Sequence, residues 1–125
     1  MKRLITRDKI NKKKKYIIYS MIELYEKLKL LPTNSGVYVM KDAFDQIIYV
    51  GKAKNLKNRV RQYFFNGVKT EKVMAMVKNV VDFYYIITPN EIDALSLENN
   101  LIKKQINQQG LVFSNSLAYL LLLVF

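Results

Sequence analysis

Two tyrosines, each two residues from a glycine, are the first candidates for chemistry in this sequence. The segments Gly36-Val37-Tyr38 and Tyr49-Val50-Gly51 are β-rich, and a polar stretch joins them, so we predict a β-hairpin. Adjacent strands can direct two phenol groups at one site, and glycine lets backbone approach a ligand closely or adopt positive φ. Tyrosine is also a common strand residue, and spacing alone favours simple packing.

A basic segment begins directly after Gly51. It holds five cations and no acid in ten residues: Lys52, Lys54, Lys57, Arg59 and Arg61. We predict a helix over residues 53–64, along which Lys52, Arg59 and Tyr63 follow at i, i+7 and i+11, close to one line. Two cations and a phenol at the margin of a core suit a phosphodiester. A solvated basic face is the alternative.

Glu98 is the third candidate. Its neighbours one helical turn away are apolar: Ala94, Leu95, Leu101 and Ile102. A carboxylate in an apolar stripe has to be paired or to bind a cation, because burying it alone is costly. Mg²⁺ keeps most of its waters and takes one or two carboxylates plus substrate phosphate. A structural ion pair between Glu98 and a Lys or Arg explains the same position.

The composition excludes several kinds of active site. The chain has no Cys and no His, which removes disulfides, thiolate nucleophiles, His-ligated zinc and a Ser-His-Asp triad. A net charge of +11 indicates a polyanionic partner. Eight Lys or Arg and one Asp lie in residues 1–20, where a solvated tail is the usual interpretation. We expect a cytoplasmic location, because this arm lacks the apolar region of a secretory signal.

Hydrophobic spacing predicts the elements that must position the candidates. Short strands are predicted at residues 37–40, 47–50 and 81–87. Two helices are predicted at residues 21–31 and 53–64, a third begins after Thr70 as its N-cap, and the last helix ends at about Lys104. The last helix is predicted to begin with Thr88 as its N-cap. Pro89 then stands at the first helical position and Glu91 at the third, which is typical of a helix start. The order predicts an α/β fold, a small sandwich of three strands with helices on its faces.

We divide the chain into three segments. Residues 1–20 are a basic extension, residues 21–109 are the domain, and residues 110–125 are a divergent apolar tail. The tail is too short to span a membrane, which needs about 20 apolar residues. We expect neither a membrane partner nor a small-molecule substrate.

Two segments carry a family resemblance. The stretches LPTNSGVYVMKDAFDQIIYVGKAKNLKNRVRQYFF and EIDALSLENNLIKK resemble the GIY-YIG nuclease family, and within it the N-terminal domain of UvrC-type excision-repair endonucleases. The resemblance covers residues 28–104. It implies a GIY-YIG sandwich with a three-stranded antiparallel sheet, and a metal-dependent endonuclease that nicks DNA on the 3′ side of a lesion in nucleotide excision repair. The implied partners are DNA and a UvrB–DNA complex, although the UvrB-contacting segment has no counterpart in this sequence.

The resemblance also implies roles for single residues. Tyr38 and Tyr49 match the motif tyrosines, Gly36 and Gly51 the motif glycines, and Lys52, Arg59 and Tyr63 the basic helix and its tyrosine, with Glu98 as the metal ligand for Mg²⁺ or Mn²⁺. We hypothesise that Tyr49 deprotonates the attacking water as a phenolate whose pKa Lys52 lowers. Arg59 would neutralise charge on the phosphate. Tyr38 and Tyr63 would orient water and phosphate, and Lys54, Lys57 and Arg61 would bind DNA.

The match departs from the family at two places. Ser35 stands where the family usually has Pro, which we expect to reduce loop rigidity. Gly110 stands where the family has an active-site Asn, and Asn107 is out of register. Two alternatives therefore stay open: a catalytically impaired DNA-binding fragment of the UvrC type, and a standalone small GIY-YIG nuclease.

Overall fold

The computed structural model describes residues 7–65, 69–109 and 113–114. The elements in chain order are α1 (Arg7–Lys29), β1 (Gly36–Lys41), β2 (Ile47–Ala53), α2 (Leu56–Phe65), α3 (Glu71–Asn79), β3 (Asp82–Ile87), α4 (Glu91–Gln109) and β4 (Phe113–Ser114). No helix in this described part of the chain has the length and hydropathy needed to cross a membrane.

The sheet has the order β3-β1-β2-β4. β1 pairs antiparallel with both β2 and β3, which confirms the three-stranded antiparallel sheet. The two-residue β4 adds a short parallel pairing at the outer edge of β2, and no periodic pattern predicted it. Tyr38 lies opposite Gly51 in the β1–β2 register, so the two motif segments meet directly across the hairpin.

Helices cover both faces of the sheet. Because side chains alternate along a strand, Tyr38 and Met40 of β1 face the cluster that contains residues of α1, α2 and α3. Val37 and Val39 face the opposite side, where they pack with Ala94 and Ile102 of α4. The α/β sandwich is therefore built as predicted, with three helices on one face and one on the other.

α1 is twice as long as the helix predicted at residues 21–31, because it begins at Arg7. The added segment contains neither Gly nor Pro, and its Lys residues are good helix formers. Residues 7–19 are all exposed, whereas Leu28 is fully buried in the core. The helix therefore runs through the boundary drawn at residue 20, and the division into an extension and a domain remains a prediction.

Two predicted helix starts are wrong. Asn90, not Thr88, caps α4, because Asn90 Oδ1 accepts a hydrogen bond from the Asp93 amide at 2.8 Å. α2 begins at Leu56, since β2 continues to Ala53. Lys52 is consequently a strand residue, and the predicted line of Lys52, Arg59 and Tyr63 along one helix does not exist. The predicted cap at Thr70 is confirmed, since Thr70 Oγ1 accepts from the Val73 amide.

Candidate active site

A cleft of about 420 Å³ opens at the end of β2, next to the start of α2. It is lined by Lys52, Ala53, Lys54, Asn55, Asn58, Arg59, Gln62, Glu91 and Glu98. α2 comes from one face of the sheet, while Glu91 and Glu98 come from α4 on the other. The cleft therefore gathers three cations and two carboxylates from elements that are separated in the sequence.

Glu98 is the buried carboxylate of this cleft. Its exposed fraction is 1%, and it shares the buried stripe of α4 with Ala94, Ile102 and Gln105. The burial predicted from its apolar neighbours is confirmed. Among the described residues, no three side chains of the types His, Cys, Asp and Glu come together as a metal cage. A cation here would take one buried carboxylate, which fits Mg²⁺ and does not fit a structural zinc site.

Lys52 and Arg59 supply positive charge to the cleft in different ways. The Lys52 ammonium donates to Glu91 Oε1 at 3.3 Å across the cleft. The Arg59 guanidinium lies 5.6 Å from the Tyr63 ring centroid. Burial lowers the pKa of Arg59, but nearby Tyr38 and Tyr63 outweigh that effect and leave the pKa above its ordinary value. Arg59 is therefore a fixed cation.

The other predicted DNA-binding residues lie at different distances from the cleft. Lys54 is exposed and lines it. Lys57 and Arg61 are half-buried on α2 and are not among its lining residues. The Arg61 guanidinium lies 5.3 Å from the Phe65 ring centroid, which directs it along the helix. The structure thus brings Lys54 to the site and leaves Lys57 and Arg61 beside it.

Tyr38, Tyr49 and Tyr63 form a buried cluster joined through their hydroxyl groups. Tyr63 Oη lies 2.8 Å from Tyr38 Oη and 2.8 Å from Tyr49 Oη. The rings are 5.5 to 5.9 Å apart between centroids. The packing alternative is seen, since all three rings are buried and none of them lines the cleft, while presentation of the phenols to a ligand stays a prediction. Tyr63 is the hub, because it is the shared partner of the other two.

Burial raises the pKa of both strand tyrosines. Desolvation is the largest cause for both. Tyr49 and Tyr63 add to it for Tyr38, and Tyr63 adds to it for Tyr49. The hypothesis that Lys52 lowers the pKa of Tyr49 is wrong, since Lys52 pairs with Glu91 and Arg59 is the cation that acts weakly on Tyr49. Tyr49 is protonated at neutral pH in the described structure.

The two motif glycines make space for neighbouring groups. A Cβ atom on Gly51 would lie 2.4 Å from Cζ and Oη of Tyr38. A Cβ atom on Gly36 would lie 2.3 Å from the Ile86 carbonyl oxygen. Neither glycine has a positive φ, so that predicted reason is wrong, and close approach of a ligand stays a prediction. Gly51 admits the Tyr38 ring, and Gly36 admits the backbone of β3.

The loop of residues 32–35 is hydrogen-bonded to segments that border the cleft. The amides of Leu56 and Lys57 donate to the carbonyl oxygens of Asn34 and Pro32 at 3.0 and 2.9 Å. Ser35 accepts from the Thr88 amide at 2.9 Å and donates from Oγ to the Lys54 carbonyl at 3.2 Å. The loop is therefore held by four hydrogen bonds, and the expected loss of rigidity at Ser35 has a compensating bond.

Glu91 is the charged cleft residue that sequence reasoning missed as a site residue, and Asn55, Asn58 and Gln62 are uncharged ones. Glu91 was interpreted only as part of a helix start. The signal was present in its spacing, because residues seven apart lie on the same helix face, and Glu91 precedes Glu98 by seven. Gly110, predicted to replace an active-site Asn, lies outside the described residues, as does the side chain of Asn107.

Comparison with known proteins places this geometry in a family. The family model of the UvrC-like GIY-YIG domain matches residues 34–108. UvrABC system protein C of Clostridium botulinum is 62% identical over 85 residues, which cover 67% of this chain and 14% of that protein. The corresponding protein of Clostridioides difficile is 52% identical over 100 residues, covering 79% and 16%. The chain thus spans about a seventh of the length of these relatives.

Solved structures agree with the sequence matches. The GIY-YIG N-terminal endonuclease domain of UvrC from Thermotoga maritima, bound to magnesium as its catalytic divalent cation, matches with a TM-score of 0.59 and 40% identity. The match covers 66% of this chain and 89% of that one. From the cleft, the fold and these matches together, this chain belongs to the UvrC-like GIY-YIG family and carries its endonuclease domain.

Proposed function

We propose that this chain is a metal-dependent DNA endonuclease module of the UvrC type, which hydrolyses a phosphodiester bond on the 3′ side of a lesion. The observation that carries the proposal is the buried Glu98 carboxylate at the wall of a cleft that also presents Lys52 and Arg59. The magnesium-bound Thermotoga maritima domain supports a divalent cation for this fold.

Glu98 is the residue that would hold Mg²⁺ or Mn²⁺. Burial restricts its carboxylate to the cleft side of α4, and one carboxylate plus substrate phosphate suits Mg²⁺. The ion supplies charge stabilisation at the phosphate oxygens when it is bound. Glu91, which is half-exposed and paired with Lys52, contributes a second negative charge at the rim.

Lys52 and Arg59 bind the scissile phosphate in this proposal. Arg59 is a cation at neutral pH although it is half-buried, because its guanidinium pKa stays above the ordinary value, so it can neutralise charge that grows on the phosphate oxygens. Lys52 is held at 3.3 Å by Glu91, and both side chains retain solvent contact. A phosphate entering the cleft can therefore take over the Lys52 ammonium at little cost, since exposed ion pairs are weak.

The phenol cluster orients the reacting groups and offers one candidate base. Tyr63 Oη holds both Tyr38 Oη and Tyr49 Oη, which fixes the three hydroxyl groups relative to Arg59. Tyr49 is our candidate to take the proton of the attacking water. Because burial raises its pKa, little phenolate exists at neutral pH. A Tyr49 base therefore gives a nicking rate that rises with pH, whereas a Tyr49 that only donates a hydrogen bond does not.

Nicking of a duplex that contains a bubble tests the proposed activity. Wild type should cut with Mg²⁺ or Mn²⁺ and not with EDTA, and Glu98→Gln should lose about 1000-fold, since several kcal/mol of transition-state stabilisation depend on the ion. Glu91→Gln is the matched control on the same helix, and we expect a change below about tenfold. Duplex binding is measured separately in EDTA. Wild type that binds and does not cut with either metal is the impaired DNA-binding fragment.

The side of incision and the partner need a second assay. A lesion-containing duplex labelled at one end is incubated with UvrA, UvrB and this chain, and the product length gives the cut position. We expect a nick 3′ to the lesion that depends on UvrB. Equal nicking of undamaged branched DNA without UvrA or UvrB would instead identify a standalone small nuclease.

A further inference from the structure

In the first half of α1, a turn of lysine residues is followed along the helix axis by a turn of apolar residues. We call Lys12 to Lys15 the cationic turn and Tyr16 to Tyr19 the apolar turn; both are exposed, with Tyr16 at 74%. Successive residues are about 100° apart on a helix, so four consecutive lysines surround it. The cationic turn therefore presents positive charge on every side, at one level of the helix.

The charge of the cationic turn is not compensated by the described residues. The ion pairs of α1 lie at its other end, between Lys27 and Asp82 and between Lys29 and Glu26. Within residues 7–65 and 69–109, Lys12, Lys13 and Lys14 form no ion pair. Lys15 lies 5.9 Å from the ring centroid of Tyr19. The cationic turn thus leaves strong positive charge available to a partner.

The cationic turn and the cleft lie at opposite ends of the molecule. Tyr16, Ser20 and Leu24 share a cavity with Ala43 in the β1–β2 turn, whereas the cleft begins where β2 ends. Lys27 of α1 lies at the hairpin-turn end too, because it pairs with Asp82, which stands opposite Lys41 at the end of β1. The cleft is at the other end of β1, where Gly36 stands opposite Ala53. At 3.3 Å per residue, the seven steps from Gly36 to Ala43 extend about 23 Å, which corresponds to about seven base pairs of B-DNA.

We propose that the cationic turn of α1 is a second nucleic-acid contact, which binds the phosphate backbone of duplex DNA about seven base pairs or more from the phosphate held in the cleft. Charge complementarity carries the choice of partner, and the site is separate from the proposed catalytic one. An anionic membrane fits less well. An interfacial helix needs a continuous apolar face, and lysines that surround the helix interrupt every face.

A charge-matched pair of variants tests this contact. Lys13→Gln/Lys14→Gln removes two charges from the cationic turn, and Lys103→Gln/Lys104→Gln removes two exposed charges from α4 on the opposite face of the sheet. Gln keeps helix propensity close to that of Lys, and circular dichroism checks that the helix is retained. Binding to a hairpin-closed duplex of about 5 base pairs, which is too short to reach both contacts, and to a duplex of about 24 base pairs, which spans both at 3.4 Å per base pair, is measured in EDTA at several salt concentrations.

We expect the α1 variant to bind the longer duplex about tenfold more weakly and to lower the salt slope by about 2, because two phosphate contacts are lost. The α1 variant and wild type should bind the shorter duplex with equal affinity. The α4 variant should bind both duplexes with the affinity of wild type. Equal losses in the two variants, or equal losses at both lengths, overturn the proposal. Binding to vesicles of anionic phospholipid is measured in parallel. If the α1 variant loses affinity for the vesicles and not for DNA, the proposal is overturned and the cationic turn is assigned to a membrane surface.

A tethered probe measures the position of the contact. The chain has no Cys, so Asn11→Cys next to the cationic turn, and Asn100→Cys on α4, can each carry one iron chelate that cleaves nearby DNA backbone. Radical cleavage from position 11 should fall about seven base pairs or more from the nick of the cleft. The same pattern from both positions, or no cleavage from position 11, contradicts the proposal. If the chain gives the expected cleavage pattern but has no nicking activity, the proposed endonuclease function is contradicted and the DNA contact of the cationic turn is supported.

Discussion

The cleft end of the molecule and the first half of α1 use their polar groups in opposite ways. At the cleft end, phenols and backbone amides are joined in networks, and Glu98 is almost fully buried. In residues 7–19 of α1, every side chain is exposed, and Lys12, Lys13 and Lys14 of the cationic turn form no ion pair with any described group. The polar groups of the cleft end are fixed by hydrogen bonds before a ligand binds, whereas the cationic turn of α1 offers exposed positive charge.

The difference separates two kinds of contribution to DNA handling. Groups fixed by neighbours can hold a phosphate in one geometry, which is what a chemical step requires. Exposed lysines act at a distance and in many geometries, so they add affinity and salt dependence. Substitutions at the cleft end should therefore change stability and rate together, whereas substitutions in the cationic turn should change binding only.

The largest stability effect is expected for Gly51→Ala. The new Cβ atom would lie 2.4 Å from the Tyr38 ring, and overpacking of this kind costs about 3 kcal/mol. Urea unfolding measures the change. In a Tyr38→Val background the clash partner is gone, so the same substitution should cost less than about 1 kcal/mol, because contacting residues are not additive. An equal cost in both backgrounds would mean that the Tyr38 ring is not the reason for Gly51.

Tyr63→Phe should come next. It removes the shared partner of Tyr38 Oη and Tyr49 Oη in the buried cluster, and a buried hydroxyl left without a partner costs about 1–3 kcal/mol. We expect a loss of about 2 kcal/mol in the unfolding free energy. Tyr16→Phe in the apolar turn is the matched control, and its change should lie near zero. Similar losses in both would remove the contrast between the two regions.

Alkaline pH should weaken the cleft end specifically. Burial raises the folded-state pKa of Tyr38 and Tyr49, while the unfolded value is about 10. Stability is therefore complete below about pH 10 and falls as the pH rises above it, by up to about 1.4 kcal/mol per pH unit for each group. Thermal unfolding between pH 8 and 11 measures this. Tyr49→Phe should reduce the slope, and an unchanged slope would point to lysine titration instead.

The smallest stability effect is expected in the cationic turn. Lys13→Gln/Lys14→Gln should change the unfolding free energy by less than about 0.5 kcal/mol, since exposed positions without partners contribute little. Lys27→Met serves for comparison within the same helix, because it removes the ion pair with Asp82 and should cost no more than about 1 kcal/mol. A larger cost in the cationic turn would reveal packing of that turn against the domain.

Local patterns were sufficient for the hairpin, for the existence of three strands and for the burial of Glu98, while the antiparallel pairing of all three strands came from the family resemblance. An alternating apolar strand and an apolar helical stripe record burial in the sequence itself. They were not sufficient for the partner of Lys52, because Glu91 is 39 residues away and the end of β2 decides which side Lys52 faces. The prediction that the pKa of Tyr49 is lowered was wrong for the same reason. It depends on burial by groups that the fold brings from α2.

The start of α1 was missed for a different physical reason. A lysine-rich segment carries no apolar stripe, so periodicity gives no signal, and helix propensity alone extends the helix to Arg7. The roles assigned to Tyr38, Tyr49, Lys52, Arg59, Tyr63 and Glu98 came from family resemblance and remain proposals. What the structure adds is their arrangement, in which Tyr63 joins the phenols and Glu91 competes for Lys52.

The loop of residues 32–35 also links two segments of the chain beside the cleft. Its carbonyl groups accept from the amides of Leu56, Lys57 and Thr88, so those three amides become accessible to solvent protons together only when the loop leaves both the start of α2 and the residue after β3. Local opening then approaches the cost of breaking the cooperative core. Native-state hydrogen exchange should give these amides one common opening free energy, and they should exchange no faster than the amides of the sheet.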